Sequence, residues 1–295
     1  MEATKKRALF LFVIGVLIVL LVVVSVVTLL RGPRDNLVEL VSTTETEYIV
    51  DDLYEGQMHI PKFNVSDNHY KPDSFIERKG VITYEDGPSY IGINVNEQQG
   101  EIDWAQVAAS DVDYVLIRVG YREYGRGKLV ADKNFEANIK GAAAVNLPVG
   151  VYFYSRAITD AEAEEEAVFV LEQIRGYNVD YPIAYNWQYR YKEDGSLDES
   201  ARNTGCNGDQ VTGFIDTFCK KVKAAGFTAA YYCDKNMGYS KLDLGKLSGY
   251  EMWYSEYRAV PSFYYDFGIW QYTKEGTVPG IAEQVPINLA LKKYH

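Results

Sequence analysis

From Tyr90 onward, short apolar segments alternate with helical ones, and this rhythm constrains the fold more than any other feature of the chain. The strand candidates are Tyr90–Asn96, Tyr114–Gly120, Val149–Ser155, Pro182–Gln188, Thr228–Cys233, Glu251–Tyr257 and Phe267–Thr273. Helical patterns lie between several of them, around Asp103–Ala109, Asn134–Asn146, Thr159–Ile174 and Gln210–Ala225. Thr159 and Glu162 have capping-box spacing, and Gly226 stands where a helix-ending glycine belongs. Such alternation predicts a parallel β/α architecture. No glycine fingerprint follows the first strand, so a closed or nearly closed barrel is expected rather than an open dinucleotide-binding sheet. Gly120–Lys128, GYREYGRGK, lacks the spacing of a phosphate loop and reads as a flexible surface loop.

In barrels of this kind the carboxyl ends of the strands carry the chemistry. Those ends supply Asn94, Asn96, Arg118 and Tyr121 from the first two segments, then Tyr152 and Tyr154 from the third. Asn186, Gln188, Tyr232, Trp253, Glu256, Trp270 and Gln271 follow from the later ones. In PIAYNWQYR (Pro182–Arg190) the two-residue period of a strand places Asn186 and Gln188 on one face. Rings and planar amides together suit a sugar chain, whose C–H faces stack on aromatics while its hydroxyl and acetamido groups bond to amides. A rim rich in tyrosine is equally compatible with packing that leaves the hydroxyls in water.

Ala8–Leu30 is an uncharged apolar run long enough to cross a bilayer core of about 30 Å. It is longer than a signal-peptide core, and no small-x-small cleavage site follows it, so a retained anchor is expected. Lys5, Lys6 and Arg7 precede the run, and acids follow closely after Arg31 and Arg34. That bias places the amino terminus in the cytoplasm and the main domain outside, in a single-pass protein of the cell membrane. The expected organisation is a cytoplasmic tail over 1–7, a transmembrane helix over 8–30, a polar and acidic stalk over 31–88 holding a hairpin or two around the apolar groups Tyr48–Val50 and Val81–Tyr84, and the barrel over 89–295. Beyond residue 34 the chain holds 25 basic and 40 acidic residues, a net of about −15. Nucleic acid is therefore an unsuitable partner.

Three cysteines, Cys206, Cys219 and Cys233, have no metal-type spacing; one pair could bridge in an oxidising compartment, but buried thiols are expected. The histidines, His59, His69 and His295, all lie outside the regular part, which argues against a zinc site or a Ser-His-Asp triad. No metal and no cofactor are expected.

Seven ordered motifs carry a resemblance to a known family. They are GINVNEQQGEIDW (Gly92–Trp104), DKNFEAN (Asp132–Asn138), PVGVYFYS (Pro148–Ser155), PIAYNWQ (Pro182–Gln188), MWYSEY (Met252–Tyr257), IWQYTKEGTVPGI (Ile269–Ile281) and VPIN (Val285–Asn288). From about Tyr90 to the end the chain resembles the lysozymes of glycoside hydrolase family 25, β-1,4-N-acetylmuramidases with an irregular β/α barrel. The resemblance implies a cell-wall glycan such as peptidoglycan as partner. It also implies catalytic carboxylates at four positions, which in this sequence are Asn94, Asn186, Gln188 and Pro286. None is acidic, so the resemblance points to a pseudoenzyme with no intact catalytic residue. A carboxamide has no proton to give near neutral pH and no charge to steady an oxocarbenium-like transition state. The amides keep the shape of the acids, whereas Pro286 removes a backbone donor.

Three readings follow. The first is a membrane-anchored lysozyme-like domain that binds wall glycan without efficient hydrolysis. The second is an active muramidase using a relocated acid, Glu256 or Glu97, with Asp234 behind them. The third is an envelope scaffold that contacts protein only. Asp103 is expected to cap a helix and Asp132 to hold a loop.

Overall fold

The computed structural model describes residues 34–294. The apolar run read as a membrane anchor, and the tail before it, lie outside the described residues. Among those described, no helix is long and apolar enough to cross a membrane.

Eight strands close into a barrel: β6 (Tyr90–Val95), β7 (Tyr114–Arg122), β9 (Val149–Ser155), β10 (Ile183–Trp187), β11 (Ala229–Asp234), β12 (Glu251–Ser255), β13 (Ile269–Gly276) and β14 (Val285–Ala290). From β6 through β13 every neighbouring pair is parallel. The last strand, β14, runs antiparallel to both β13 and β6 and shuts the ring. β8 (Leu129–Ala131) folds back on the end of β7 as a hairpin. The barrel expected from the alternation is present, and its irregularity resides in β14, a strand that the proline within VPIN conceals in the sequence.

Every α-helix described except Phe135–Ala144 starts where a short polar side chain accepts from its free amides. Asp103 caps α1 (Trp104–Ala108), as expected, and α2 (Phe135–Ala144) follows β8. Thr159 caps α3 (Asp160–Gln173), and Asn207 with Gln210 forms a full capping box on α4 (Gly208–Ala224). Along α4 the buried set Val211, Phe214, Ile215, Phe218, Cys219 and Val222 recurs at helical spacing and forms one stripe toward β10 and β11. Two short helices, α5 (Lys235–Ser240) and α6 (Leu244–Leu247), follow β11. Gly226, at φ +89°, ends the α4 region in the left-handed conformation that glycine tolerates.

The two faces of the barrel strands do different work. Outward residues such as Ile183, Tyr185 and Trp187 pack beneath the helices, with the Tyr185 ring stacked on Phe218 at 4.4 Å. Inward residues Tyr114, Leu116, Tyr152, Tyr181, Trp253 and Ile269 fill the lumen as a separate cluster. The Tyr114 and Tyr181 rings lie parallel at 4.0 Å, and Gly92 makes the space, since a β-carbon there would lie 2.1 Å from the Tyr114 ring.

The segment read as a stalk is instead packed structure, in one compact unit with the barrel from Asn36 onward. β1 (Val38–Thr43), β2 (Glu47–Asp52) and β3 (Gly56–Pro61) form an antiparallel sheet, and β4 (Phe75–Arg78) pairs with β5 (Val81–Tyr84) as a hairpin. The apolar groups Tyr48–Val50 and Val81–Tyr84 do lie in strands, and what the acidic texture concealed is their packing into the main core. Val50, Ile60, Phe75 and Ile82 are buried in the main core, and the rings of Tyr48, Phe63 and Tyr70 pack against Tyr264, Tyr265 and Phe267. Polar ties reinforce it: the Asn68 amide donates to the carbonyls of Phe263 and Tyr264, and Lys235 Nζ reaches Asp52 at 3.0 Å. Asp52 is fully buried and also accepts from the amides of Tyr54 and Glu55. Asp52→Ala should therefore cost about 2 kcal/mol, with a lesser loss for Asp52→Asn, as measured by urea unfolding.

The GYREYGRGK stretch also departs from expectation. Arg122 is buried, donates to the Gly127 carbonyl and pairs with Glu165 and Glu166 at 2.8 and 2.6 Å, so the base of the loop is fixed by charge. All three cysteines are free and buried.

Candidate glycan-binding site

The inward phase that plugs the barrel turns polar at the carboxyl ends of the strands. Leu116 leads to Arg118, Ala184 to Asn186 and then Gln188, and Ile269 to Gln271. On β14 the same face carries Ala290 at the plug and Asn288 and Pro286 toward the mouth. A groove of about 570 Å³ opens over these residues, within the range of small-molecule and cofactor pockets.

Its floor is a lattice of amides. Asn94 Oδ1 accepts from Gln271 Nε2 at 2.9 Å and from Asn288 Nδ2 at 3.3 Å. Asn288 Oδ1 accepts from Trp253 Nε1 at 2.9 Å, and Gln271 Oε1 accepts from the Tyr257 hydroxyl at 3.0 Å. Gln188 Nε2 donates to Asn186 Oδ1 at 2.6 Å, so the shared face read from PIAYNWQYR is a direct contact. Asn96 Nδ2 approaches the Tyr152 hydroxyl at 3.4 Å. Burial pushes the Tyr152 hydroxyl above the ordinary tyrosine range, against the opposing pull of Arg118 and of the Asn96 and Asn94 amides.

Among the residues lining the groove, Glu97 is the sole carboxylate. Its Oε1 lies 3.3 Å from Arg118, which is itself held by Asp132 at 2.7 Å. Asp132 does hold the loop as expected, accepting from the amides of Asn134 and Glu97.

Two expected binding residues lie elsewhere. Trp270 is completely buried on the outward phase, edge-on to Phe75 at 5.5 Å, with its indole donating to the Glu256 carbonyl. Being one residue from Gln271, it must face the opposite side of β13. Glu256 leaves the groove for a structural role, accepting from Ser262 N, Ser262 Oγ and Tyr254 OH and pairing with Lys235 at 3.2 Å. It is unavailable as a relocated acid. Asp234 caps α5 through Met237 N and is likewise outside the groove, its carboxyl raised by burial.

Tyr121, Tyr152, Tyr154, Tyr232, Trp253 and Gln271 all line the groove. Their exposures divide them. Tyr152, Tyr232 and Trp253 are buried floor, whereas Tyr121 and Tyr154 are partly open, joined by Tyr257 at 46% exposed. Ring faces for a sugar are thus confined to the rim. Sequence reasoning missed Tyr257, Asn288, Arg156 and Lys274. Asn288 was within reach, since it stands two residues beyond Pro286 and so shares its face.

Pro286 also lines the groove, where β13 and β14 slip register between Thr273 and Gly276. The missing donor falls where the ladder is already broken, and Lys274 and Glu275 occupy the displaced stretch.

Eight-stranded β/α barrels serve many enzyme classes, which carry their sites, as here, at the carboxyl ends of the strands. The model of glycosyl hydrolases family 25 matches residues 93–281, and the chain belongs to that family. Solved structures agree in fold. The modular autolysin LytC from Streptococcus pneumoniae superposes with a TM-score of 0.58 at 22% identity, over 84% of this chain and 57% of that one. A family 25 glycosyl hydrolase from Bacillus anthracis gives 0.55 at 16%, over 74% and 93%. The bacterial lysozyme from Streptomyces coelicolor gives 0.52 at 18%, over 70% and 94%. LytC has also been solved with a synthetic peptidoglycan ligand. This chain spans little more than half of LytC. No curated protein matches it in sequence.

Proposed function

We propose that this protein is a membrane-anchored, lysozyme-like domain that binds peptidoglycan or a related cell-wall glycan on the outer side of the membrane without efficient hydrolysis. The observation that carries the reading is the replacement of carboxylates by amides on the groove floor. Cleavage of a glycosidic bond requires a proton donor at the leaving oxygen and a negative group to form or support the nucleophile. Asn94, Asn186 and Gln188 supply neither, and Glu97 is engaged with Arg118. Loss of a general acid alone costs about 10² to 10⁴ in rate.

What remains is suited to holding sugar. The amides present both donors and acceptors to hydroxyl and acetamido groups, and the partly exposed rings of Tyr121, Tyr154 and Tyr257 stand at the rim, each with a cation, Arg118, Arg156 and Lys274 respectively, on one face. The anchor and its orientation rest on Ala8–Leu30 and its flanking charges.

The test is to incubate the full-length chain with purified sacculi and to measure both cosedimentation and the release of soluble reducing ends. Cosedimentation without release is expected. Release by the unmodified chain would point to an active muramidase with Glu97 as its acid, and the absence of both would favour a scaffold that contacts only protein.

A further inference from the structure

Resting on the glycan-binding reading, we infer that the groove selects glycan strands bearing carboxylates over neutral strands of the same backbone, with Arg156 and Lys274 as its specificity determinants. The domain as a whole is strongly acidic, so an anionic polymer meets general repulsion. The groove reverses that sign, being lined by Arg118, Arg156 and Lys274 against Glu97 alone.

The three cations are not equivalent. Arg118 is neutralised by Asp132 and Glu97 at 2.7 and 3.3 Å. Arg156 and Lys274 form no ion pair among the described residues. Each is instead laid on a tyrosine: the Arg156 guanidinium is 4.9 Å from the Tyr154 ring centre, and the Lys274 ammonium is 5.1 Å from that of Tyr257. A ring face positions a cation without cancelling its charge.

Strand order sets the distance between them. Arg156 follows β9 and Lys274 lies in β13, four places apart in a ring of eight, so the two stand on opposite sides of the mouth. The register slip opposite Pro286 is what displaces Lys274 from the regular ladder. Between the two cations lie the uncharged amides of Asn94, Asn186 and Gln188, which put no negative charge in the path of an anionic strand. A glycan crossing the mouth therefore meets a fixed positive group at each side and a neutral floor between. Strands of β-1,4-linked amino sugars whose stem peptides bear free carboxylates match this pattern, and fully neutral oligomers of the same sugars leave both cations without a partner.

The experiment compares two forms of one ligand: peptidoglycan strand fragments freed of phosphate polymers, either intact or with their carboxylates amidated. Binding to the full-length chain in non-ionic detergent is measured by calorimetry. The intact form should bind about tenfold more tightly at about 50 mM salt, and the ratio should shrink toward one near about 0.5 M. In Arg156→Gln/Lys274→Gln the ratio should fall to about one at low salt. Equal binding of both forms by the unmodified chain would overturn the inference while leaving the glycan-binding reading intact. A ratio that persists in the double variant would overturn the assignment to these residues. Failure to bind either form would remove the glycan-binding reading and this inference with it.

Discussion

On the proposed reading, placing acid at four positions, with Asn94→Asp, Asn186→Asp, Gln188→Glu and Pro286→Asp combined, should give the groove hydrolase activity. Release of reducing ends from sacculi should rise by at least about 10²-fold over the unmodified chain. The geometry favours this outcome. Asn94 Oδ1 already receives donors from Gln271 and Asn288, so an aspartate there would find its hydrogen bonds in place. Asn186 and Gln188 touch at 2.6 Å through an amide hydrogen bond. Two carboxyl groups at that separation cannot both ionise comfortably, so one would hold its proton into the working pH range and serve as the acid. The single replacement Gln188→Glu should yield far less, because it supplies an acid without the partners that hold it protonated and oriented. Absence of turnover in the fourfold variant, with sacculus binding retained, would show that more than the acids has been lost.

The largest effect on stability is expected behind the barrel. Arg122 is almost wholly buried, and its guanidinium contacts Glu166 at 2.6 Å and Glu165 at 2.8 Å. Glu166 is completely buried and also accepts from Ser155 and Tyr185. Arg122→Ala leaves that carboxylate without its cation and should cost about 3–5 kcal/mol in denaturant unfolding. Burial already lifts the Glu166 carboxyl above the ordinary glutamate range, with Tyr185, Arg122 and Ser155 pulling it down. A glutamate whose folded value is raised contributes stability at low pH that is lost as pH rises through the folded value. Removing Arg122 lifts that value further. The deficit of Arg122→Ala should therefore be smallest at acid pH and grow as pH rises through the raised folded value, whereas Glu166→Gln, which keeps partners for Ser155 and Tyr185, should show a flatter profile.

The alternation of strands and helices was legible because period and capping are local properties. Asp103, Thr159 and Gly226 each mark a helix end without reference to the rest of the chain. The amide pair was legible for the same reason, since two-residue spacing fixes a shared face. What escaped depends on distant contacts. The acidic stretch before Pro88 reads as a stalk until the aromatic run Phe263–Phe267, some 200 residues later, supplies its core. Trp270 stands at a strand end like the groove residues but on the opposite phase of β13, and the β4–β5 hairpin that covers it belongs to the same distant segment. Glu256 reads from its position as a binding or structural residue, or as a relocated acid, and only the fold, which brings Lys235 and Ser262 to it, selects the structural role. Arg156 and Lys274 drew no notice because isolated cations are common in any sequence, and only closure of the barrel sets them face to face across the mouth.

The stacked Tyr114 and Tyr181 rings, with Leu116, Trp253 and Ile269 around them, seal the lumen beneath the groove. A polymer cannot thread a passage that is stoppered, so it must lie across the opening and leave by the way it came. The site then works as a clasp and not as a tunnel, and it needs no chain end to engage. On the proposed glycan-binding reading, such molecules would seat anywhere along a wall strand, several to a strand, with occupancy set by strand length and not by the number of termini.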